Sequence, residues 1–112
     1  MGYKHFNGNE WNARAASDTA WTNSSLRVAP GTGTALYVTD ICVNCGGTAR
    51  VFQLLDGSGG TVLYQVALLA NTSAVVSFNV PIKLTTATAL CLTSAGNSVG
   101  AFVSVGGFTA RG

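Results

Sequence analysis

Charge is what this sequence has least of. Only 9% of its 112 residues are Asp, Glu, Lys or Arg, against about 25% in a typical soluble domain. The few charges are also spread evenly. Up to Gly33, Lys4, Arg14 and Arg27 stand against Glu10 and Asp18; beyond it, Arg50, Lys83 and Arg111 stand against Asp40 and Asp56. No basic stripe of the kind a phosphate backbone attracts is present, which argues against a nucleic-acid partner. Long apolar runs are missing too. The longest apolar stretch, 62–70, is interrupted by Gln65 and alternates like a strand. It falls well short of the ~20 apolar residues a membrane helix needs, so no membrane partner is expected. Residues 1–11 contain no apolar h-region, so no secretory signal is expected.

Histidine occurs once and cysteine three times, and these small numbers limit the chemistry. His5 sits between Lys4 and Phe6 with no fixed partner for acid–base or nucleophilic work. The four carboxylates form no recognisable pair, and no glycine-rich motif follows a strand and opens a helix. Cys42-Val43-Asn44-Cys45 is a C-x-x-C, but a zinc site needs about four ligands. Only Cys91 and His5 remain to complete one, and Cys42 and Cys45 fall on opposite faces of a continuing strand. A redox C-x-x-C belongs in a β-α context that this sequence lacks. The expectation is a protein that is not an enzyme, holds no cofactor or metal, and keeps its cysteines reduced and unpaired, as suits cytoplasmic assembly.

What is present is an asymmetry of aromatics. Both tryptophans, the histidine, Tyr3 and Phe6 all precede Leu26. The pattern predicts an irregular N-terminal arm over residues 1–25, with one or two helical turns at 10–16, followed by a domain over 26–112. A compact β-domain gains most by burying its own tryptophans. Aromatics on an aperiodic arm therefore point to another protein's surface. Tyr3, Lys4, His5, Phe6, Trp11, Arg14 and Trp21 are the candidate interface residues. The competing reading is that the arm folds back over the domain's own core.

Beyond the arm, apolar residues alternate in short runs separated by turn residues. Strands are predicted over 26–29, 35–43, 49–55, 61–68, 73–80, 82–84, 89–93 and 99–109. Asp56-Gly57-Ser58-Gly59-Gly60 is a strong hairpin turn, because these residues enter positive φ at little cost. Pro81, lacking an N–H, stops central pairing. In the strand over 35–43, alternation puts Tyr37, Thr39, Ile41 and Val43 on one face and Leu36, Val38, Asp40 and Cys42 on the other. Asp40 is then out of place, either at a sheet edge or facing Arg50. The predicted fold class is all-β: an antiparallel β-sandwich, jelly-roll-like, with the irregular arm in front. Thr34-Ala35-Leu36-Tyr37-Val38-Thr39 and Thr88-Ala89-Leu90-Cys91-Leu92-Thr93 are alike, which common β-composition explains more simply than a duplication.

Tyr37-Val38-Thr39-Asp40-Ile41-Cys42-Val43-Asn44, Leu54-Leu55-Asp56-Gly57, Gly60-Thr61-Val62-Leu63-Tyr64, Pro81-Ile82 with Leu84, and Ala89-Leu90-Cys91-Leu92-Thr93 together resemble the small β-sandwich virion proteins of tailed bacteriophages, in particular capsid decoration or cement proteins. The resemblance covers residues 35–110 and leaves the arm out. It implies a jelly-roll-like domain, a homodimer or homotrimer on the outer capsid surface, a major capsid protein as partner, and no cofactor. The expected role is to stabilise an icosahedral capsid by bridging neighbouring subunits, with assembly in the host cytoplasm. The alternative is a receptor- or glycan-binding module of a tail fibre or spike, in which Tyr3, Trp11 and Trp21 stack on sugars.

Overall fold

The computed structural model describes residues 10–17, 20–95 and 100–112. Eight strands follow in chain order: β1 (Glu10–Ser17), β2 (Ser24–Arg27), β3 (Thr34–Asn44), β4 (Arg50–Asp56), β5 (Thr61–Leu68), β6 (Ser73–Lys83), β7 (Leu90–Ala95) and β8 (Ala101–Arg111). They make two four-stranded sheets, ordered β1-β8-β3-β6 and β2-β7-β4-β5. First pairs with last, second with seventh, third with sixth and fourth with fifth, all antiparallel. The chain is thus a long ribbon folded back at the 56–61 turn and rolled into a sandwich, which is jelly-roll connectivity. The turn closes with Gly57 and Gly59 at φ 86 and 68, and the Gly60 N–H donates to the Gly57 carbonyl at 3.1 Å.

The sheets face each other across one core. Leu36, Val38, Ile41 and Val43 of β3 and Val103 and Val105 of β8 are buried on one side; Phe52 and Leu54 of β4 and Leu90 and Leu92 of β7 are buried on the other. β1 and β2 adjoin at one flank of the sandwich, β5 and β6 at the other.

Two predicted features are corrected. The first is the arm. Residues 10–17 are neither irregular nor helical. They form β1, which pairs with β8 from Glu10↔Phe108 to Ser17↔Ala101. The boundary at residue 25 also falls inside β2. Glu, Arg and Ala favour helix in isolation. Here the alternation of inward Trp11, Ala13 and Ala15 with outward Asn12, Arg14 and Ala16 lets the segment bury one face as a strand.

The second correction concerns the faces of β3. Its register shifts between Val38 and Asp40, against both β8 and β6. One additional residue at a β-bulge reverses the alternation beyond it. Leu36 and Val38 therefore share the core face with Ile41 and Val43, and Asp40 points to solvent. Asp40 lies neither on an edge strand nor beside Arg50. Its Oδ1 accepts a hydrogen bond from Thr39 Oγ1 at 2.8 Å, and its carboxylate lies over Gly106, where a Cβ would sit 2.6 Å from Oδ1. On β6 the same irregularity spans residues 77–82 and contains Pro81. β6 is an edge strand, the position where a missing N–H disturbs least.

Candidate interaction surface

Of the candidate interface residues, Tyr3, Lys4, His5 and Phe6 lie outside the described residues. Trp11 and Trp21 are 7% and 8% exposed and belong to this chain's own core, so neither is an interface anchor or a sugar platform. Trp11 faces Gly107 across the β1–β8 ladder. A Cβ on Gly107 would sit 2.6 Å from Trp11 Cζ2 and against the Tyr37 carbonyl. The glycine is therefore the space the indole fills, an aromatic packed over a strand glycine. Arg27 covers the ring, its Cζ 5.6 Å from the ring centroid. The indole Nε1–H is buried without an acceptor.

Trp21 is held to the second sheet by a reciprocal pair: its N–H donates to Ser94 Oγ at 3.0 Å, and the Ser94 N–H donates to its carbonyl at 3.0 Å. Its ring packs against Phe52 with centroids 6.1 Å apart. Arg50 lies over it, with Cζ 4.4 Å from the ring centroid. The Arg50 guanidinium is buried and donates to Ser94 Oγ at 3.1 Å and to the Ser17 carbonyl at 3.3 Å. A planar cation stacked on an aromatic suits arginine and not lysine. Arg50 thus ties the end of β1 to β4 and β7. Nothing in the sequence separates it from the other cations, because its partners are up to 44 positions away.

Arg14 is the candidate that does reach solvent. It lies on the outer face of β1, and its Nε donates to Asn12 Oδ1 at 3.2 Å. On that same outer face Tyr37 and Phe108 stack with ring centroids 4.8 Å apart and planes 4° from parallel. The other notable surface is the β5–β6 flank. None of the residues of these two strands is fully buried. Leu63, Tyr64, Val66, Leu68, Val76, Phe78 and Ile82 pack only partly against the core. Tyr64 and Phe78 meet edge to face at 5.6 Å and join the two sheets there. Val75 and Val80 stand 74% and 81% exposed. Lys83 is the one charge in both strands. The sequence signal was available: two consecutive strands almost without charge at what proves to be the edge of both sheets.

The cysteines are free thiols, Cys42 half-buried and Cys45 and Cys91 buried. Cys45 Sγ is 3.0 Å from the Thr48 carbonyl. Burial pushes the Cys91 thiol pKa upward, which makes the thiolate scarcer. A cleft of about 270 Å³ lies between residues 27–31, Leu36 and Thr109. Arg27 is the only charged residue among its described lining, so no acid–base pair meets there.

No family model matches the chain, and no curated protein matches it at a significant level. Among solved structures it is similar to the coat protein of tobacco streak virus in a C2 crystal form: TM-score 0.43, 9% identity, 91% of this chain and 87% of that one covered. The dimer of the same coat protein gives 0.42, 10%, 93% and 88%. A Bacillus endospore appendage protein, described as forming disulfide-linked pili, gives 0.39, 12%, 89% and 88%.

Proposed function

We propose that this chain is a structural protein of a virion, decorating and stabilising an icosahedral phage capsid from its outer surface by bridging neighbouring capsid subunits. The observation that carries the reading is the β5–β6 flank. Exposed edge strands are normally blunted by charge, because their free N–H and C=O groups recruit other chains. This flank presents two edges side by side, with exposed valines and a single charge. Such a surface suits permanent contact with the major capsid protein. Contacts repeated by symmetry add up without a catalytic pocket. The residues ahead of Glu10, with Tyr3, Lys4, His5 and Phe6, supply the N-terminal part of the bridge. With Trp11 and Trp21 in the core, the glycan-binding alternative loses two of its three stacking residues.

The test is to locate the protein in intact particles and to perturb the flank. Cryo-EM of purified particles of the encoding phage should show this sandwich on the outer shell. Leu69→Asp, in the β5–β6 turn, and Val80→Asp should weaken capsid binding while shifting unfolding by less than about 0.5 kcal/mol, as exposed positions do. Absence from virions, or capsid binding indifferent to both substitutions, would refute the reading.

A further inference from the structure

One row of laterally paired residues crosses the first sheet from edge to edge: Glu10 on β1, Phe108 on β8, Tyr37 on β3 and Lys83 on β6. Their chain neighbours Trp11, Gly107, Leu36, Val38 and Ile82 face inward. The pleat therefore turns all four side chains to the outer face. The two rings are stacked and half-buried, while Glu10 and Lys83 are exposed. Strands lie ~4.8 Å apart, so Glu10 and Lys83 are ~14 Å from each other and cannot pair within one chain. The row reads acid, ring, ring, base.

We infer that this row is the centre of a two-fold interface with a second copy of the chain, formed by the outer face of the first sheet. A two-fold axis running along the strands, between β8 and β3, sets Glu10 opposite the partner's Lys83 and Phe108 opposite the partner's Tyr37, each contact occurring twice. An isologous interface must be complementary to itself, and this row is. The described charges of the whole face, Glu10, Arg14, Asp40 and Lys83, sum to zero, so two copies meet without net repulsion. Four strands at ~4.8 Å and about eight residues at ~3.4 Å give roughly 500 Å² per copy and about 1,000 Å² in total. That is the size of a weak, reversible dimer, one that forms at micromolar concentrations. Val75, in the lateral row of Arg14, Ser104 and Cys42, lies on this face too and is covered with Lys83, while the β5 side of the β5–β6 flank stays free for the capsid. The inference rests on the self-association expected of a capsid-bridging protein, but it names the face.

Sedimentation velocity of the full chain over a micromolar concentration series tests it. Wild type should dimerise reversibly. Glu10→Lys and Lys83→Glu should each weaken the dimer by roughly tenfold or more, because each creates two like-charge contacts. An equimolar mixture of the two variants should recover the dimer, since every like-charge contact of the parents becomes an opposite-charge contact in the mixed species. Circular dichroism of each variant checks that it is folded. A wild type that stays monomeric overturns both the interface and the self-association it rests on. A dimer insensitive to either substitution, or a mixture that fails to recover it, overturns this face and leaves self-association standing.

Discussion

Trp11 tests most directly which molecule the N-terminal segment serves. At 7% exposure, the side chain buries most of the 150–250 Å² an aromatic offers. At 25 cal/mol per Å² this is about 4–6 kcal/mol, an upper estimate because the unfolded chain already hides part of that surface. Against it stands the indole N–H, buried without an acceptor, which costs about 1–3 kcal/mol. Trp11→Ala should therefore destabilise the isolated protein by about 2–4 kcal/mol, a large share of the ~5–15 kcal/mol that a domain commands. Trp11→Phe keeps most of the apolar contact and removes the orphan donor, so it should stay within about 1 kcal/mol of wild type. Urea unfolding reports both, because Trp21 remains as the fluorophore in each variant. The ordering matters as much as the size. If Trp11→Ala costs less than about 1 kcal/mol with an unchanged m-value, the ring is not part of this core. An arm that anchors on a neighbour would then be restored.

Arg50→Met keeps the length of the side chain but loses the donors to Ser94 and Ser17 and the cation over Trp21. It should cost about 2–4 kcal/mol in thermal or denaturant unfolding, and Arg50→Lys should recover less than half of that because the planar stack is lost. For Cys91, burial raises the folded-state pKa, so the protonated thiol is the form the fold prefers. The stabilisation is fully present below the unfolded-state pKa and is lost as pH rises through the folded one. Stability measured across the alkaline range should fall with pH, and Cys91→Ala should flatten that slope. A slope unchanged by the substitution would remove Cys91 as its source.

Most of the sandwich was legible because strand formation here is local. Strands β3, β4, β5, β7 and β8 overlap runs of alternating apolar residues bounded by Gly, Asn, Asp or Pro, whereas β2 starts two residues early and the strands expected at 73–80 and 82–84 are one, β6, running through Pro81 at the sheet edge. Those turns act through their own φ preferences and need no distant partner. What was not legible depends on pairing across the chain. β1 looked aperiodic because its apolar positions after Trp11 are alanines, which propensity assigns to helix. Only the β8 ladder, some 90 residues away, and the vacancy at Gly107 make those positions a strand. The bulge at 38–40 was invisible for a related reason. Nothing in Val38-Thr39-Asp40 marks a change of phase, yet an unbroken alternation places Asp40 on the face of Leu36 and Val38. The misfit of one carboxylate was the trace it left.

The placement of Trp11 and Trp21 also depends on pairing across the chain. Two tryptophans on a stretch without clear period point to a partner's surface; the fold buries both in its own core. Rolling a ribbon so that its first strand pairs with its last commits the N-terminal segment to the sheet. It leaves unpaired edges at β1 and β6 in one sheet and at β2 and β5 in the other. Arg27 over Trp11, with Glu10 and Arg14 exposed on β1, puts charge on the β1–β2 side, whereas the β5–β6 side has only Lys83. Where the scarce charges are not, the apolar edge is left open. In a chain this poor in charge, the surfaces available for assembly are identified by where charge is missing rather than by where aromatics gather.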